Sequence, residues 1–300
     1  ARAAKKAPED ATAAAAPVIN WYPGHIARAE RELRGYLKRV DVVVEARDAR
    51  IGRSTAHPDL AEWVGDRPRV VVFTFADLAP PKVLSDWRNA FDDDVFFVDA
   101  RRGGDKEFRG VRGALQKCGR AVNEKRKKKG IAPRSARVAV VGYPNVGKSA
   151  LINRLVRQKV VASARRAGVT RSLRWVRLGQ DLDLLDAPGV LPPRLDDQQA
   201  ALHLALCDDI GQAAYDGELV AQAFLHRLIQ LEPREASGVF IAQLESRYGV
   251  ALKDETADPA FWLEAAAARH TSTDTARMAQ RLLDDFRKSA LGSIALELPG

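Results

Sequence analysis

The sequence predicts an α/β protein, with a mostly parallel sheet and helices on both of its faces, followed by a small all-helical part. Three observations support this prediction. Six short runs of β-branched and apolar residues alternate with helical patterns before residue 195. A glycine-containing segment joins one of these runs directly to a helix. After Pro193 the remaining patterns are helical.

The strand candidates are residues 40–45, 69–73, 95–98, 138–141, 174–178 and 182–185. Residues 27–39 have helical spacing, and 120–137 are predicted as a helix that continues into a basic linker. Later helices are predicted at 198–206, 217–231, 237–248, 259–268 and 275–289. We therefore expect an α/β domain over 18–195, a C-terminal helical domain over 196–300, and a disordered tail over 1–17.

Composition limits the classes of function. The chain has 300 residues, a formal net charge of +9 and a pI of about 9.7, which favours a polyanionic partner such as nucleic acid. No run of apolar residues is long enough to predict a membrane span. Cys118 and Cys207 are predicted to be reduced thiols. The alanine-rich residues 1–17 are either the remainder of a targeting sequence or an arbitrary start of the chain.

Residues 142–149, GYPNVGKS, lie between the apolar run VAVV and the helical pattern ALINRLV. The pattern G-x-x-x-x-G-K-S in this context predicts a phosphate-binding loop whose backbone N–H groups surround phosphate oxygens. Lys148 would reach the terminal phosphates, and the Ser149 hydroxyl would bind Mg²⁺. The ordinary structural interpretation, a strand–helix turn without a ligand, does not account for the Lys-Ser pair.

Two further segments match a magnesium-dependent nucleoside triphosphatase. LDLLDAPGV at 181–190 predicts a strand followed by Asp186, which would hold Mg²⁺ through water, and Gly189, whose N–H would meet the γ-phosphate. Thr170, in AGVTR at 167–171, is predicted as a second hydroxyl ligand of Mg²⁺, although a threonine in a loop is commonly only solvated. Both segments would then respond to the nucleotide state.

The segment VVVFTFADL at 70–78 is the candidate for recognition of the base. A carboxylate such as Asp77 can accept hydrogen bonds from N1 and N2 of guanine, which adenine cannot donate. Thr74 and Phe75 stand where guanine-binding proteins usually have Asn and Lys. Phe75 either stacks on the base or packs in the core. Because this segment precedes the phosphate loop, one GTP site requires a circularly permuted domain.

The motif order resembles that of the circularly permuted YlqF/RbgA GTPases, and the run at 196–211 makes the chain look most similar to the chloroplast DAR GTPases. The segments that match are WYPGH (21–25), VDVVVEARDAR (40–50), GYPNVGKS, GVTR, DAPG, DDQQAALHLALCDDIG (196–211) and LLDDFRKSALGSIALE (282–297). The resemblance implies a circularly permuted P-loop GTPase domain and a role in maturation of the large ribosomal subunit. Its implied partners are the subunit precursor, its rRNA and ribosomal proteins, with a monomer off the ribosome.

The resemblance also implies residue roles. His25 would be catalytic, and Asn145 would be associated with K⁺. Asp99-Ala100-Arg101 would replace a Ser-Ala-Lys loop beside the base. The full set of predicted GTP-binding residues is Thr74, Asp77, Ala100, Arg101, Pro144, Asn145, Val146, Gly147, Lys148, Ser149, Ala150, Thr170 and Gly189.

His25 has a second argument in its favour. Ras-like GTPases have a water-orienting Gln directly after the glycine that corresponds to Gly189. Here that residue is Val190, whose side chain cannot bind water. His25 follows a Pro-Gly pair, so we expect it on a mobile exposed loop; a surface or capping histidine is the alternative.

The function is then a GTPase assembly factor, or else a nucleotide-gated rRNA-binding placeholder with little hydrolysis. A structural RNA-binding protein with a vestigial site is the third reading. The chloroplast stroma is the expected compartment, with a bacterial cytoplasm or mitochondrion as alternatives.

Overall fold

The computed structural model describes residues 19, 24–92, 94–158, 174–187, 189–190, 197–235, 239–252 and 258–299. At helix and strand positions 24–29, 174, 232–235 and 239 only the backbone is described. The predicted tail at 1–17 and the predicted Mg²⁺ ligand Thr170 lie outside the described residues.

The described strands form one six-stranded sheet in the order β3-β2-β1-β4-β6-β5. Their bounds are β1 Val42–Asp48, β2 Arg69–Thr74, β3 Val95–Phe97, β4 Ala136–Val141, β5 Arg174–Leu178 and β6 Leu182–Asp186. Only the pairing of β5 with β6 is antiparallel. The mostly parallel sheet predicted from the sequence is therefore confirmed. We call the edge at which β1, β2, β3, β4 and β6 end the carboxyl edge.

β1 is longer than the predicted strand at 40–45 and continues to Asp48, which pairs in register with Thr74 of β2. The sequence pattern missed this extension because Glu45 and Arg47 interrupt the apolar run. Glu45 is buried, and Arg47 Nε donates a hydrogen bond of 2.7 Å to its carboxylate. This ion pair, together with Arg69 Nη1 at 3.4 Å from the second carboxylate oxygen, offsets part of the cost of burying Glu45.

The helices of the α/β part are α1 Gly24–Leu37, α2 Leu60–Val64, α3 Pro81–Asn89, α4 Asp105–Lys128 and α5 Lys148–Val156. The helix predicted to run into a basic linker within 120–137 is present, but it begins earlier than the sequence indicated. α4 starts at Asp105 and ends at Lys128, followed by Gly130 at φ +70°, a conformation that glycine adopts without strain. Residues from Ala136 onward belong to β4 instead.

The helices after residue 197 are α6 Gln198–Leu206, α7 Gly217–Glu235, α8 Val239–Tyr248, α9 Pro259–His270 and α10 Thr275–Arg287. Asp197, Asp258 and Asp274 cap α6, α9 and α10 by accepting hydrogen bonds from backbone N–H groups of the first turn. Leu282, Leu283 and Phe286 of α10 are buried against the other helices. The helical C-terminal part is thus confirmed; its boundary at 195 stays a prediction.

Among the described residues, four apolar clusters form the core. One lies between the sheet and helices α4 and α5, a second between the sheet and helices α1 and α2, and a third under α3. The fourth fills the helical part and also includes Ile51 and Tyr143 from the α/β part. The two parts therefore pack together next to the phosphate loop. Among the helices described, none is long and apolar enough to cross a membrane.

Candidate functional site

The phosphate loop connects the end of β4 to the start of α5. Its backbone has positive φ at Gly142 (+154°), Asn145 (+55°) and Gly147 (+89°). A Cβ atom at Gly142 would lie 2.5 Å from the carbonyl oxygen of Ala46, so only glycine fits there. This conformation turns successive backbone N–H groups toward one side, where α5 also begins. The loop is built to bind an anion at the helix N-terminus.

Lys148 is buried at the start of α5. Its Nζ donates a hydrogen bond of 2.6 Å to the carbonyl oxygen of Tyr143. Burial lowers the pKa of Lys148 to about 8, against the opposing effects of the nearby carboxylates of Asp186 and Asp209. A buried ammonium with one neutral acceptor gains more from a phosphate oxygen than an exposed lysine does.

Ser149 and Asp186 fit a magnesium ion. The Ser149 hydroxyl donates to Asp186 Oδ2 at 3.2 Å, and Asp186 is buried at the carboxyl end of β6. A hydroxyl and a carboxylate are hard oxygen ligands, which Mg²⁺ prefers. A Mg²⁺ ion next to the phosphate loop would either replace this hydrogen bond between Ser149 and Asp186 or lie between the two side chains.

Gly189 lies directly against the phosphate loop. A Cβ atom at this position would be 2.6 Å from both N and Cα of Pro144 and 3.0 Å from Lys148 Nζ. Val190 N donates to the Gly142 carbonyl at 3.3 Å, and the Val190 side chain is buried. The segment after β6 therefore contacts the first residues of the loop, Gly142 and Pro144, and its apolar Val190 offers no group for orienting water.

Thr74 has a position that the sequence did not predict. Its side chain is completely buried, and its hydroxyl lies 2.6 Å from the Val146 carbonyl and 3.0 Å from the Arg47 carbonyl. Gly147 approaches it so closely that an added Cβ would be 3.4 Å from Thr74 side-chain atoms. Thr74 thus ties β2 to the phosphate loop, which differs from the predicted polar arm toward the base.

Phe75 adopts φ +53° and is half-buried. The guanidinium carbon of Arg50 lies 4.9 Å from its ring centroid, and that of Arg101 lies 5.4 Å away. The ring is therefore placed between two guanidinium groups, and whether it also stacks on a base stays a prediction. Phe75 lies at the carboxyl edge, between the loops that follow β1 and β3.

Asp77 is exposed next to Phe75. Partial burial and the neighbouring Asp99 raise the pKa of the Asp77 carboxyl above its ordinary value, while Arg101 and Arg50 lower it. Ser293, near the C-terminus, donates to the Asp77 carbonyl at 3.3 Å. The carboxylate is thus available to a ligand, while its backbone is attached to the C-terminal segment.

The loop after β3 is ordered by two carboxylates. Asp99 Oδ1 accepts backbone hydrogen bonds from Arg101 (2.7 Å) and Arg102 (3.0 Å). Glu107, in the first turn of α4, accepts from Asp99 N (2.9 Å) and Gly104 N (3.1 Å). Ala100 is buried and Arg101 is exposed beside Phe75. Asp77, Ala100 and Arg101 are therefore neighbours at the carboxyl edge.

Comparison with known proteins agrees with this geometry. A family model described as "50S ribosome-binding GTPase" matches residues 137–226. "Ribosome biogenesis GTPase A" of Bacillus pumilus is 31% identical over 290 residues, which cover 94% of this chain and 99% of that protein. The chain belongs to the ribosome biogenesis GTPase A family.

Two other relatives refine this assignment. "Short integuments 2, mitochondrial" of Arabidopsis thaliana is 35% identical over 223 residues, covering 69% of this chain and 55% of that protein. The GNP-bound crystal structure of YlqF from T. maritima has a TM-score of 0.56 at 21% identity and covers 91% of this chain and 98% of that one, which supports the fold. The plant relative is named as mitochondrial, so these matches support the family and not a chloroplast subgroup.

Two predicted site residues of this ribosome biogenesis GTPase A relative are not placed at the nucleotide site. Thr170 lies outside the described residues, and for His25 only the backbone is described. That backbone is the second residue of α1, whereas the sequence predicted a mobile exposed loop. The helix begins at Gly24, so the backbone of His25 belongs to its first turn.

Asn145 contacts the helical part. Its side-chain Nδ2 donates a hydrogen bond of 2.7 Å to the carbonyl oxygen of Asp208, in the turn after α6. The amide oxygen is the atom that a K⁺ role would require, so this hydrogen bond and the predicted K⁺ role use different atoms. The contact joins the phosphate loop directly to the C-terminal helices.

Several functional contacts escaped the sequence analysis. Asp48 and Arg50 form a buried ion pair with hydrogen bonds of 2.6 and 3.0 Å after β1. Glu297 accepts hydrogen bonds from the Ser54 hydroxyl and from Arg53 N, and lies 2.8 Å from His203 Nδ1. The charged segment ARDAR at 46–50 is the one sequence signal that could have indicated the Asp48–Arg50 pair. The residues around Glu297 give no such signal, because the partners of Glu297 are far away in the sequence.

Proposed function

We propose that this chain binds GTP together with Mg²⁺ and hydrolyses it to GDP and phosphate while assisting assembly of the large ribosomal subunit. The observation that supports this best is the meeting of the phosphate loop, the 186–190 segment and the loops after β2 and β3 at one edge of the sheet. Ligands of open α/β sheets bind at this edge. Membership of the ribosome biogenesis GTPase A family supports the biological role.

In this proposal the phosphate half of the site consists of the backbone of residues 144–150 with Lys148, Ser149, Asp186 and Gly189. Lys148 exchanges the Tyr143 carbonyl for phosphate oxygens. Ser149 and Thr170 would hold Mg²⁺ directly and Asp186 would hold it through water; when bound, the ion would supply positive charge for the terminal phosphates. The Gly189 N–H meets the γ-phosphate.

The base half of the site is formed by Asp77, with Phe75, Ala100 and Arg101 around it. An exposed carboxylate next to two guanidinium groups accepts the N1 and N2 hydrogens of guanine, and adenine lacks these donors. Loss of charge-assisted hydrogen bonds of this kind costs about 1.5–3 kcal/mol each. The proposal therefore predicts that one carboxylate decides between guanine and adenine.

Affinities for fluorescent GDP and ADP test this assignment. We expect the unmodified chain to prefer GDP, and Asp77→Asn to weaken GDP by about tenfold or more while ADP binding stays the same. The exposed Asp94 provides a matched control, Asp94→Asn, which should change neither affinity. Equal affinities of the unmodified chain for GDP and ADP would show that the site does not select guanine.

We propose His25 as the group that orients the attacking water, because the buried Val190 is apolar. Turnover stimulated by large ribosomal subunits should fall about 100-fold in His25→Ala. His226→Ala, on α7, is the matched histidine control. Full stimulated turnover in His25→Ala would exclude the proposed role.

The second candidate function is a nucleotide-gated rRNA-binding placeholder with little hydrolysis. The absence of a polar side chain at Val190 favours it. GTP turnover with and without large subunits, at several K⁺ concentrations, separates the two functions. Stimulation by both the subunit and K⁺ would support an active GTPase and a K⁺ role for Asn145; a flat rate under all conditions would support the placeholder.

The net charge of +9 supports rRNA as the direct partner. Residues Lys125–Lys129 at the end of α4 include exposed basic side chains, at the opposite edge of the sheet from the phosphate loop. The combined substitutions Lys127→Gln, Lys128→Gln and Lys129→Gln should weaken binding of the protein to the subunit. The affinity of this variant should also fall less steeply with salt concentration. An unchanged salt dependence would mean that this run is only solvated.

The cellular compartment in which the protein acts depends on the organism and genome that encode it. The run at 196–211 favours the chloroplast stroma, whereas the relatives include bacterial proteins and proteins of Arabidopsis thaliana and Xenopus tropicalis that are named as mitochondrial. Imaging of the full-length gene product fused to a fluorescent protein distinguishes the stroma, the mitochondrial matrix and a bacterial cytoplasm.

A further inference from the structure

A groove of about 340 Å³ lies at the edge of the sheet where the parallel strands begin, opposite the phosphate loop. Its walls are the end of α4 and the segment 66–68, which leads into β2. Val40 and Asp41, directly before β1, also line it. Sites for small organic ligands have volumes of about 300–1,000 Å³, so the groove is large enough for a ligand of that kind.

The segment that follows α4 folds back onto the helix and fixes one side of the groove. Arg126 Nε and Nη2 donate hydrogen bonds of 3.1 and 2.9 Å to the Ala132 carbonyl. Asn123 exchanges two hydrogen bonds with the backbone of Arg134, at 2.9 and 3.2 Å. Ile131 is therefore held at the groove, although 46% of its surface is exposed.

Apolar side chains form one surface of the groove. Val40 is buried, Pro68 and Val122 are half-buried, and Ile131 is exposed. A single exposed isoleucine needs no explanation in a folded protein, but this one adjoins three further apolar side chains in a concave site. Isoleucine and proline are among the side chains that pack against nucleic-acid bases. The groove therefore offers an apolar surface to a flat ring.

Four cationic side chains surround this apolar surface. Lys125 and Lys129 are exposed and lie four positions apart, so they project from the same side of the helix end. Arg67 donates to two carbonyls at the end of α2, at 2.9 Å each, and Arg126 donates to the Ala132 carbonyl. Within the described part of the chain, none of the four is paired with a carboxylate.

Two carboxylates also line the groove, and they differ in their partners. Asp41 accepts hydrogen bonds of 2.8 and 3.1 Å from the Arg134 guanidinium and a third, at 2.8 Å, from Arg137 N. Asp66 is exposed and has no ion pair among the residues that the structure describes. Four cations against one unpaired carboxylate leave an excess of positive charge, which favours an anionic ligand.

Asp66 separates two classes of anionic partner. An acidic protein segment would satisfy the cations, but Asp66 would repel its carboxylates. An RNA nucleotide supplies a phosphate for the lysines, a flat ring for the apolar surface, and amino or imino N–H groups for a carboxylate. Base-paired RNA does not present such a ring, because its bases are stacked inside the helix. The groove therefore fits an unpaired nucleotide.

We propose that this groove binds one unpaired nucleotide of rRNA. Its phosphate lies at Lys125 and Lys129, its base covers Ile131 and Pro68, and an N–H group of the base donates to Asp66. This inference rests on rRNA as the direct partner, as proposed above, and adds where and in which form the RNA is bound. Loops, bulges and single-stranded ends bind at the groove, and a continuous duplex does not.

Fluorescence anisotropy of the full chain tests this inference, with a labelled single-stranded RNA of about ten nucleotides and with the corresponding duplex. Ile131→Ser keeps all charges and should weaken binding of the single strand roughly threefold without changing duplex binding. Lys125→Gln combined with Lys129→Gln should weaken single-strand binding roughly tenfold and make the slope of log affinity against log salt shallower by about 1.4. The exposed pair Lys106→Gln and Lys117→Gln removes the same charge from α4 away from the groove, and it should leave both affinities within about twofold.

Asp66→Ala gives the sharpest result, because two effects differ in sign. Removal of a carboxylate from a basic surface should by general electrostatics tighten the binding of any RNA. If Asp66 accepts a hydrogen bond from the base, the variant should instead bind single-stranded RNA roughly threefold more weakly. The duplex does not enter the groove, so its affinity for Asp66→Ala should be at least that of the unmodified chain.

Thermal denaturation checks that the variants fold, which we expect because the substituted side chains are exposed. Equal losses of single-strand and duplex binding in Ile131→Ser, tighter binding of the single strand by Asp66→Ala, or a groove lysine pair no weaker than its control pair would overturn the inference. Polyglutamate that binds as tightly as single-stranded RNA, with the same loss in the groove lysine pair, would indicate an acidic protein partner and also overturn it. If the unmodified chain binds neither RNA, the proposed rRNA partnership itself fails.

Discussion

The two halves of the proposed nucleotide site differ in the contacts that hold their residues in place. The phosphate half consists of buried groups, with Lys148 and Asp186 enclosed by backbone that only glycine permits at Gly142 and Gly189. The base half consists of exposed or half-buried groups, Phe75, Asp77 and Arg101, held by side-chain contacts. The phosphate half is therefore fixed by backbone geometry, and the base half depends on distant residues that support its loops.

Among the substitutions that compare the two halves, removal of the Lys148 ammonium should change GDP affinity most. Lys148→Ala deletes the buried cation of the phosphate half, and we expect GDP affinity to fall by roughly 100-fold, about 3 kcal/mol. Isothermal titration calorimetry measures the change, with the exposed Lys82→Ala as control. A loss of less than about threefold would mean that the base half supplies most of the affinity.

Glu297 tests the support of the base half. Although burial opposes ionisation, hydrogen bonds and charge from His203, together with Ser54, hold the pKa of Glu297 below its ordinary value. A depressed carboxylate pKa stabilises the fold above the unfolded-state value and loses that effect as pH falls through the folded-state value. Glu297→Gln should therefore cost about 1–2 kcal/mol of unfolding free energy at neutral pH, and the difference should shrink below about pH 4.

Chemical denaturation at several pH values measures this effect, with the exposed Glu264→Gln on α9 as control. The C-terminal segment also contacts the base half, since Ile294 N donates to the Leu78 carbonyl and Leu296 N to the Arg50 carbonyl. The variant should therefore reduce the preference for GDP over ADP while leaving the phosphate half unchanged. An equal loss at pH 3 and at pH 7 would contradict the ionised state of Glu297.

Phe75 should give the smallest effect. Phe75→Ala removes a ring between two guanidinium groups, each contact contributing about 0.5–1 kcal/mol, so GDP affinity should fall about fivefold. Phe75→Leu keeps the apolar volume without the aromatic face and provides the matched control. If both variants bind GDP alike, the ring contributes by packing and not by its cation contacts.

The sequence predicted the phosphate half of the site better than the base half. The phosphate loop and the ends of β4 and β6 were recognisable because strand, glycines, Lys148 and Ser149 are contiguous. Thr74 was assigned toward the base, although its hydroxyl contacts Val146, because that contact joins residues 72 positions apart. The ion-paired Glu45 and Arg47 hid the end of β1, since polar residues inside a strand are recognisable only with their partners.

The contacts between the two parts were beyond the reach of local patterns. Asn145 meets Asp208 across 63 residues, and Ser54 meets Glu297 across 243. Asp209 in particular looks like an ordinary polar turn residue in the sequence. Its side chain is nevertheless buried, in the turn where the Asp208 carbonyl contacts the phosphate loop, and nothing in the local sequence marks it as a core position.

The helix α4 has a mechanical consequence. With 24 residues it is about 36 Å long, and it extends from the loop after β3 to the basic residues Lys125–Lys128. Its first turn holds that loop through Glu107, and its last turn is at the opposite edge of the sheet. Over this length, a tilt of about 3° around the basic end would move the Glu107 end by about 2 Å, so a force applied at one edge of the sheet would be felt by the loop at the other.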